Sequence, residues 1–553
     1  MNETVYKEKS LLTHMKVDNW IVVFGVTALV LGFFFFRNFL LSYVNNFPNM
    51  MWIPFGVASL CALAFYQMRY DSSYGPVGLI VKGSAIFAVI FLVLEPPALP
   101  LVNTDNAGAY HYIMYGWYVA LFFSLISAWR FPSFLFPVVI YLFTHKQLYE
   151  SVTYLQASMF DIRYIVETAM FSILMLYLTM LLDAVKSRGM NASLTHFWSG
   201  NRETFVSAVA MAAAGFHLAN YFWSGHAKVI LDGGPTTWVL ENATQNLIIT
   251  NFEKGTLPFG QWPFITDLTI NGFAKIVVAM NAVVLFAQLA ALPAVFNRVF
   301  LIWLTIFFDL LHLGIYVLGG LFFWPWIANN IIIALVLHRY RDQTGQFVPR
   351  ILAVIAILIG GFYSLGGAAR LGWYDTLDLR KSFVETEMKD GSRIEVPLSY
   401  FLSMSYSVSK GRLSAIEEGT QYPQSSWGAI REYQRYRTSG ACPSVAELQE
   451  ISKDAPHVSP EELKLKQEHI KEFMLAHHKM MLDREAKYGH LNFYIRGHHH
   501  PSNPLLYKDF NQIRLEDIIR YIIVTESVCL SLDNGELNKK VLVRDEYPIE
   551  VKQ

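Results

Sequence analysis

The sequence predicts an all-α polytopic membrane protein with about ten or eleven transmembrane helices, followed by a C-terminal α+β soluble domain. Of the 553 residues, 53% are hydrophobic and 16% are charged, whereas soluble proteins average about 25% charged residues. Charged residues are scarce between residues 20 and 370 and ordinary in number from residue 371 to residue 553. A net charge of zero argues against a role in nucleic-acid binding.

The predicted spans are apolar segments close to the roughly 20 residues that a helix needs to cross a bilayer. They cover residues 20–44, 50–68, 75–98, 112–129, 131–145, 162–184, 204–226, 272–297, 299–320, 323–339 and 351–367. The short segment 131–145 could instead be re-entrant. Residues 1–19 are polar and lack a small-residue cleavage site, so we expect an uncleaved signal anchor after them.

Basic residues mark every second connection between the spans, and such connections face the cytoplasm. These residues are Lys7, Lys9, Lys16, Arg69, Arg130, Lys186, Arg188, Arg298, Arg339, Arg341 and Arg350. With eleven spans, the N-terminal segment is cytoplasmic. The long connection 232–271 and the C-terminal domain are then exoplasmic.

Within the C-terminal domain, residues 383–397 alternate around Asp390-Gly391 and predict a β-hairpin. Residues 459–483 begin with a helix-start signal and predict a helix. Residues 515–531 suggest a helix or a mixed segment. Cys442 and Cys529 could form a disulfide if the domain is exoplasmic, whereas Cys61 lies in an apolar span.

His498, His499 and His500 are adjacent in the C-terminal domain. Three adjacent histidines point in different directions, so at most two could bind one ion. We therefore predict a polar turn there, with a metal site as the alternative.

Polar side chains form a stripe along the predicted helix over residues 204–230. His217, Tyr221, Ser224 and Lys228 follow one another at helical spacing on one face. Ionisable groups at membrane depth are costly and are functional candidates by default. Desolvation favours the neutral form of a buried amine, and a neutral Lys228 could act as a general base. Alternatively, Lys228 extends to the interface as an anchor, as His226 could do.

A second cluster lies on the predicted span 299–320, where Asp309, His312 and Tyr316 share one helix face. A carboxylate bonded to an imidazole would fix its tautomer and aim its other nitrogen. A structural hydrogen-bonded pair is the alternative. His217 and His312 could also bind haem if their rings met at one depth.

Five further ionisable side chains lie within or near predicted spans, namely Arg37, Lys82, Glu95, Glu167 and Lys275. Lys82 and Glu167 could form a buried pair, while Arg37 and Glu95 lie near span ends and suit anchoring.

Two motifs resemble the HTTM (horizontally transferred transmembrane) family, which includes the vitamin K-dependent γ-carboxylases. The first is the segment YFWSGHAKVILDGGPTTWV, from Tyr221 to Val239, with Gly225, Lys228 and Trp238 at matching places. The second is a histidine-bearing helix that leads into an aromatic turn, here His312 followed by FFWPW at residues 322–326. The resemblance covers roughly residues 20–340.

The resemblance implies a membrane enzyme that acts on a quinone, a lipid or a membrane-presented peptide. In the carboxylases the motif lysine is taken as the base that deprotonates vitamin K hydroquinone. Lys228 would then be the base and a reduced quinone the cofactor, with Asp309 and His312 as a supporting catalytic pair. We expect His217, Tyr221, Ser224, His226, Trp238 and Tyr316 to bind the substrate.

The carboxylases also carry an upstream asparagine-histidine-tyrosine motif, to which only residues 144–149, THKQLY, come near. This departure leaves open a membrane scaffold or a subunit of a larger complex, with a partner protein and no chemistry of its own. A transporter is a further alternative, although the sequence shows no matching pair of broken spans.

Overall fold

The N-terminal part of the chain folds as a bundle of helices. The computed structural model describes residues 17–71, 74–155, 162–189, 191–414, 428–439, 444–452, 458–491, 502–533 and 536–551. In chain order the helices of the bundle are α1 Val17–Asn46, α2 Trp52–Ala64, α3 Gly75–Leu94, α4 Ala107–Trp129, α5 Leu135–Thr153, α6 Arg163–Ser187, α7 Ala192–Val229, α8 Thr237–Glu241, α9 Asn246–Glu253, α10 Pro263–Ala294, α11 Arg298–Gly319, α12 Trp324–Arg339, α13 Arg341–Thr344 and α14 Phe347–Tyr363.

A helix occupies each of the eleven predicted spans. Among the described residues, seven of these helices are long and apolar enough to cross a membrane, namely α1, α3, α4, α6, α7, α10 and α11. The predicted span 50–68 contains a helix of 13 residues, and the segment 131–145 belongs to a helix of 19 residues. Helix α7 has 38 residues and begins at Ala192, well before the predicted residue 204. The structure is thus compatible with a multi-pass membrane protein.

The connections between consecutive long helices lie alternately at one end of the bundle and at the other. At one end, an added Cβ on Gly75 would lie 3.2 Å from Gln343 Oε1, and Arg350 donates a hydrogen bond to the Phe296 carbonyl at 2.8 Å. At the other end, Asn49 donates to the Asp105 carbonyl at 3.1 Å. Within the described residues, the connections that contain Arg69, Arg130, Arg298 and Arg341 therefore share one end of the bundle.

Helix α7 lies at the centre and packs against α1, α6, α10 and α14. Its closest neighbour is α14, because glycines let the two backbones approach. A Cβ added at Gly215 would lie 2.7 Å from the Ala353 carbonyl oxygen. Such small-residue contacts are typical of helix pairs in membranes.

A buried ion pair fixes the end of α14. Arg37 Nε lies 3.4 Å from Glu167 Oε1, and Arg37 Nη1 donates to the carbonyls of Tyr363 and Ser364 at 2.9 and 3.2 Å. Glu167 Oε2 accepts from the Gly366 amide at 2.7 Å. Glu167 is therefore paired with Arg37 and not with Lys82, whose ammonium lies 5.6 Å from the centre of a tyrosine ring. Arg37 is buried and is no interfacial anchor.

The C-terminal part contains a four-stranded antiparallel sheet in the order β3-β2-β5-β6. The strands are β1 Tyr374–Asp375, β2 Asp378–Met388, β3 Arg393–Glu395, β4 Ala429–Ile430, β5 Ile518–Asp533 and β6 Glu536–Glu550. The helices are α15 Ser405–Ser409, α16 Tyr433–Ser439, α17 Val445–Ser452 and α18 Pro460–Tyr488. One apolar core joins this sheet to α18 and to the nearby ends of α1 and α5, so the C-terminal part sits directly on the end of the bundle opposite the basic connections.

The hairpin predicted over residues 383–397 is confirmed as β2 and β3. The predicted helix over 459–483 is confirmed as α18, which begins with a capping box between Ser459 and Glu462. The helical or mixed interpretation of residues 515–531 is wrong, because most of that segment is the strand β5.

Cysteines and histidines of the C-terminal part can be placed only in part. Cys529 is disulfide-bonded and Cys61 is a free thiol. Cys442, the other half of the predicted pair, lies outside the described residues, as do His498, His499 and His500.

Candidate functional site

Lys228 lies in the last turn of α7 and is buried, with 8% of its surface exposed. Its side chain turns back along the helix, so that Nζ donates to the Ser224 carbonyl at 3.3 Å. It also donates to the Leu371 carbonyl at 2.7 Å. The indole of Trp238 lies over the ammonium, 5.0 Å from ring centre to Nζ. The amine is thus enclosed by carbonyl oxygens and an aromatic face instead of reaching water.

Asp375 is a buried acid that interacts electrostatically with Lys228. Burial raises the pKa of Asp375 to about 6, while hydrogen bonds from Asn242 and Trp373 and the charge of Lys228 lower it. Asn242 Nδ2 donates to one carboxylate oxygen at 2.9 Å and Trp373 Nε1 to the other at 3.0 Å. The indole of Trp238 in turn donates to the Trp373 carbonyl at 3.0 Å. These contacts join α7, the segment after it and β1 into one polar cluster around Lys228.

The asparagine of this cluster belongs to the sequon Asn242-Ala243-Thr244. Its side chain is 2% exposed and bonds both to Asp375 and to Thr244 Oγ1. A glycan on Asn242 would be incompatible with these contacts.

A second cluster lies deeper in the bundle and is centred on Asn330 of α12. His217 Nε2 is 2.8 Å from Asn330 Oδ1. The amide nitrogen of Asn330 donates to Tyr221 OH at 2.9 Å and to Asp309 Oδ1 at 2.8 Å. One carboxamide of α12 therefore holds an imidazole and a phenol of α7 and a carboxylate of α11. We name His217, Tyr221, Asp309 and Asn330 the Asn330 cluster.

Aromatic rings surround the Asn330 cluster. Tyr221 stacks on Phe308 with ring centres 3.7 Å apart, and the His312 ring lies 5.8 Å from Tyr221 and 6.1 Å from Trp326. Trp326 stacks on Tyr164 at 3.8 Å. The rings of Tyr164, Trp326 and His312 thus surround the polar cluster inside an otherwise apolar bundle.

Several buried polar atoms in and around this region have no hydrogen-bond partner within the described part of the chain. They include His217 Nδ1 and the carboxamide of Asn329, which is fully buried. A buried polar group without a partner costs about 1–3 kcal/mol, so such groups mark a place where a ligand or water completes the site.

The structure divides the predicted site residues into two groups. Lys228, Ser224 and Trp238 belong to the cluster that contains Asp375, and Ser224 Oγ donates to the Ala369 carbonyl at 3.0 Å. His217, Tyr221, Asp309 and His312 belong to the deeper region.

Two predicted site residues lie elsewhere. The His226 ring packs on Trp223, with centres 5.0 Å apart. Tyr316 packs on Phe322 at 4.9 Å. Neither ring belongs to the Asn330 cluster: His226 lies on another face of α7, and Tyr316 shares the face of Asp309 but lies about two turns farther along α11.

Sequence reasoning missed Asn330, Asn329 and Asp375. The two asparagines interrupt the apolar run IANNIIIAL, and polar residues inside a span are a signal of function or packing. Asp375 had no such signal, since it lies 147 residues after Lys228 in an ordinary polar segment.

The two adjacent asparagines should respond differently to replacement by leucine. Asn330→Leu leaves His217, Tyr221 and Asp309 without their shared partner, and we expect it to lower the free energy of unfolding by about 1–3 kcal/mol. Asn329→Leu removes a carboxamide that has no partner in the described chain, so stability should change little. Thermal unfolding of both purified variants in detergent measures the difference. Equal loss in both would contradict the central role of Asn330.

Comparison of the chain with protein-family models, curated proteins and solved structures finds no match.

Proposed function

We propose that the protein is a multi-pass membrane enzyme that binds a reduced quinone, or a similar lipid-soluble aromatic compound, and removes a proton from it with Lys228. The observation that carries the proposal is the enclosure of the Lys228 amine. It is buried, it interacts with one hydrogen-bonded acid, Asp375, and it lies about two helical turns from Tyr221 and about three from His217 in the aromatic region. The γ-carboxylase-like motif around Lys228 agrees with this assignment.

The membrane placement is supported by the seven long apolar helices and by large apolar side chains on their outer surface. Phe24, Phe35, Phe122, Phe286 and Trp303 are all more than half exposed. Exposed apolar surface of this extent needs a lipid or protein cover. The location of the basic connections at one end supports a cytoplasmic face there. The disulfide at Cys529 supports an oxidising, exoplasmic location for the sheet.

The base role of Lys228 rests on its surroundings. Within the described residues, no carboxylate lies within 4.0 Å of its amine, so it is not held in a salt bridge. Burial away from water disfavours the charged form of an amine, and a neutral amine accepts a proton readily. Asp375 balances this effect at longer range, and its own pKa near 6 means that it is ionised at neutral pH.

The deeper region fits the chemistry of an aromatic diol. The stacked pair of Tyr164 and Trp326 and the His312 ring form an aromatic wall that suits a flat apolar ring. His217 Nδ1 and the Asn329 carboxamide would bond the end of the ligand remote from the base, because His217 lies about 16 Å from Lys228 along α7. A bound hydroquinone would supply an acidic hydroxyl and reducing electrons. The chain's own task is to orient the ring, exclude water and accept the proton at Lys228 Nζ.

The test is the oxidation of vitamin K1 hydroquinone by dissolved oxygen, catalysed by the full chain in lipid nanodiscs. Lys228→Ala should lower kcat by about 10²–10⁴, the usual contribution of a general base. Lys228→Arg should be equally impaired, because a guanidinium does not lose its proton. Binding, followed by quenching of tryptophan fluorescence, should be retained in both variants.

The matched control is Lys82→Met, which removes a lysine of α3 that lies over a tyrosine ring away from both clusters. It should keep full turnover. If both Lys228 variants turn over the probe at the unaltered rate, Lys228 is not the base.

A membrane scaffold is the second candidate, favoured by the two carbonyl bonds of Lys228. A lysine that joins Ser224 and Leu371 ties α7 to the segment leading into β1, which is a purely structural use. A scaffold predicts that Lys228→Ala lowers stability, that no hydroquinone binds, and that a stoichiometric partner protein copurifies.

A further inference from the structure

A wide groove opens at the end of the bundle opposite the sheet. It has a volume of about 730 Å³ and is lined by Leu79, Arg298, Leu335, His338, Arg339 and Arg341. The basic residues come from three helices: Arg298 begins α11, His338 and Arg339 end α12, and Arg341 begins α13. Neither cluster of the proposed catalytic region contributes to this groove.

The groove is rigidly built at its base. Arg350 of α14 donates to the Phe296 carbonyl at 2.8 Å and so fixes the turn before Arg298. Asn297 caps α11 by accepting from the Phe300 amide at 3.1 Å. The backbone at Arg298 is therefore held in place by these two hydrogen bonds.

The charge of the groove is positive and largely uncompensated. None of its lining residues is acidic. Arg341 lies 3.6 Å from Asp342, but the two side chains are 67% and 91% exposed, and an exposed pair of this kind is worth at most about 1 kcal/mol. Guanidinium groups match phosphate oxygens with paired hydrogen bonds, so the groove is complementary to a phosphate.

The lip of the groove is apolar. Leu335 is 51% exposed and lies one helical turn from Ile331, which is 48% exposed. On α11, Val299 and Trp303 are 54% and 65% exposed next to Arg298. A basic pocket thus continues directly into an apolar belt, which is the arrangement that an amphiphile with an anionic head requires.

We propose that this groove binds the phosphate headgroup of an anionic phospholipid, with the acyl chains lying along α11 and α12. The inference rests on the membrane placement in the proposed function but not on its chemistry. The groove contains three guanidinium groups, and Asp342 partly offsets the charge of one of them, so its net charge is about +2. A phosphomonoester carries about −1.5 to −2 at neutral pH, so phosphatidic acid should bind better than a phosphodiester lipid such as phosphatidylglycerol, and phosphatidylcholine should bind least.

The experiment measures the affinity of the detergent-purified full chain for dioctanoyl phosphatidic acid by thermophoresis. The double variant Arg339→Gln/Arg341→Gln should raise Kd about thirtyfold, since each basic residue near an anionic lipid contributes roughly fivefold. The matched control Arg188→Gln removes an exposed arginine at the same end of the bundle but outside the groove, and it should leave Kd unchanged.

Two results would overturn the proposal. One is equal loss of affinity in Arg188→Gln and in the double variant, which would indicate a diffuse charge effect. The other is equally tight binding of inorganic phosphate, which would show that the acyl chains add nothing. Carbonate washing of membranes tests the membrane placement separately. If the chain is retained, the membrane placement stands even when the lipid-binding proposal fails. Hydroquinone turnover should remain intact in the double variant.

Discussion

Replacing Gly361 by valine should prevent the membrane part of the chain from reaching its native packing. The Cβ of any other residue at this position would lie 1.8 Å from Trp223 Nε1, far inside contact distance. The indole cannot move aside without losing its hydrogen bond to the Ile357 carbonyl at 2.9 Å. Overpacking of this kind costs about 1–3 kcal/mol and at times more, and here a buried hydrogen bond worth about 1 kcal/mol is lost as well.

The measurement is thermal unfolding of the detergent-solubilised protein, followed by size-exclusion chromatography. Gly25→Val and Gly56→Val are the matched controls, because a Cβ at either glycine meets nothing within 4 Å. Both should unfold close to the temperature of the unaltered protein. We expect Gly361→Val to aggregate or to unfold at a much lower temperature.

A second substitution distinguishes a local clash from a general intolerance of α14. Trp223→Leu removes the indole that Gly361 accommodates, so Gly361→Ala should cost less in that background than alone. Additive losses in the double variant would contradict the close contact between Trp223 and Gly361.

The positions of the helices could be predicted well because apolar length is a local property. Each predicted span contains a helix, and the stripe of His217, Tyr221 and Lys228 does face inward. The boundaries were less predictable. The polar start of α7, from Ala192 to residue 203, carries no long apolar run, and its helix depends on the Asn191 cap, which accepts from the Leu194 amide at 2.9 Å.

The strand β5 shows a different limit. Its sequence IIRYIIVTESVCLSLD contains both apolar pairs and charged residues, so its periodicity fits neither a helix nor a half-exposed strand. Its many β-branched and aromatic residues favour a strand, and pairing with both β2 and β6 decides the outcome.

The composition of the candidate site depended on long-range contacts. Asp309 lies on the predicted helix face, but its hydrogen-bond partner is Asn330, 21 residues away on another helix. Lys228 meets the segment 371–375, which lies across the boundary between the two parts of the chain. No spacing within one element encodes such contacts, so the sequence could indicate candidate side chains but not their grouping.

Acidification should destabilise the C-terminal sheet through two buried histidines of α18. Burial lowers the pKa of His477 to about 3 and that of His478 to about 4. His477 Nε2 lies 3.1 Å from the Tyr400 carbonyl, and His478 Nδ1 lies 2.8 Å from Tyr521 OH. The neighbouring charge of Arg484 also lowers the pKa of His477.

The direction follows from proton binding in the two states. Unfolded histidine titrates near pH 6.5, so between that pH and the folded values the unfolded chain binds more protons than the folded chain. Stability is then constant above about pH 7 and falls as the pH drops. At pH 5 each histidine should cost about 2 kcal/mol, at 1.36 kcal/mol for each pH unit below 6.5. The combined cost of the two histidines, about 4 kcal/mol, thus approaches the lower end of typical domain stabilities, about 5 kcal/mol.

Amide hydrogen exchange of β5 in the full chain, corrected for intrinsic rates, measures this effect between pH 8 and pH 5. Protection should fall with acidification in the unaltered protein and less steeply in His477→Gln/His478→Gln, which cannot titrate. His490→Gln is the control, because the His490 side chain is 44% exposed, and its profile should follow that of the unaltered protein. A steep profile that survives in the double variant would assign the acid sensitivity to groups other than these two histidines. The buried carboxylate of Asp375 cannot explain a loss of stability in this range. Its raised pKa makes the folded chain bind more protons than the unfolded chain between about pH 4 and pH 6, so it favours folding as the pH falls and opposes the histidines.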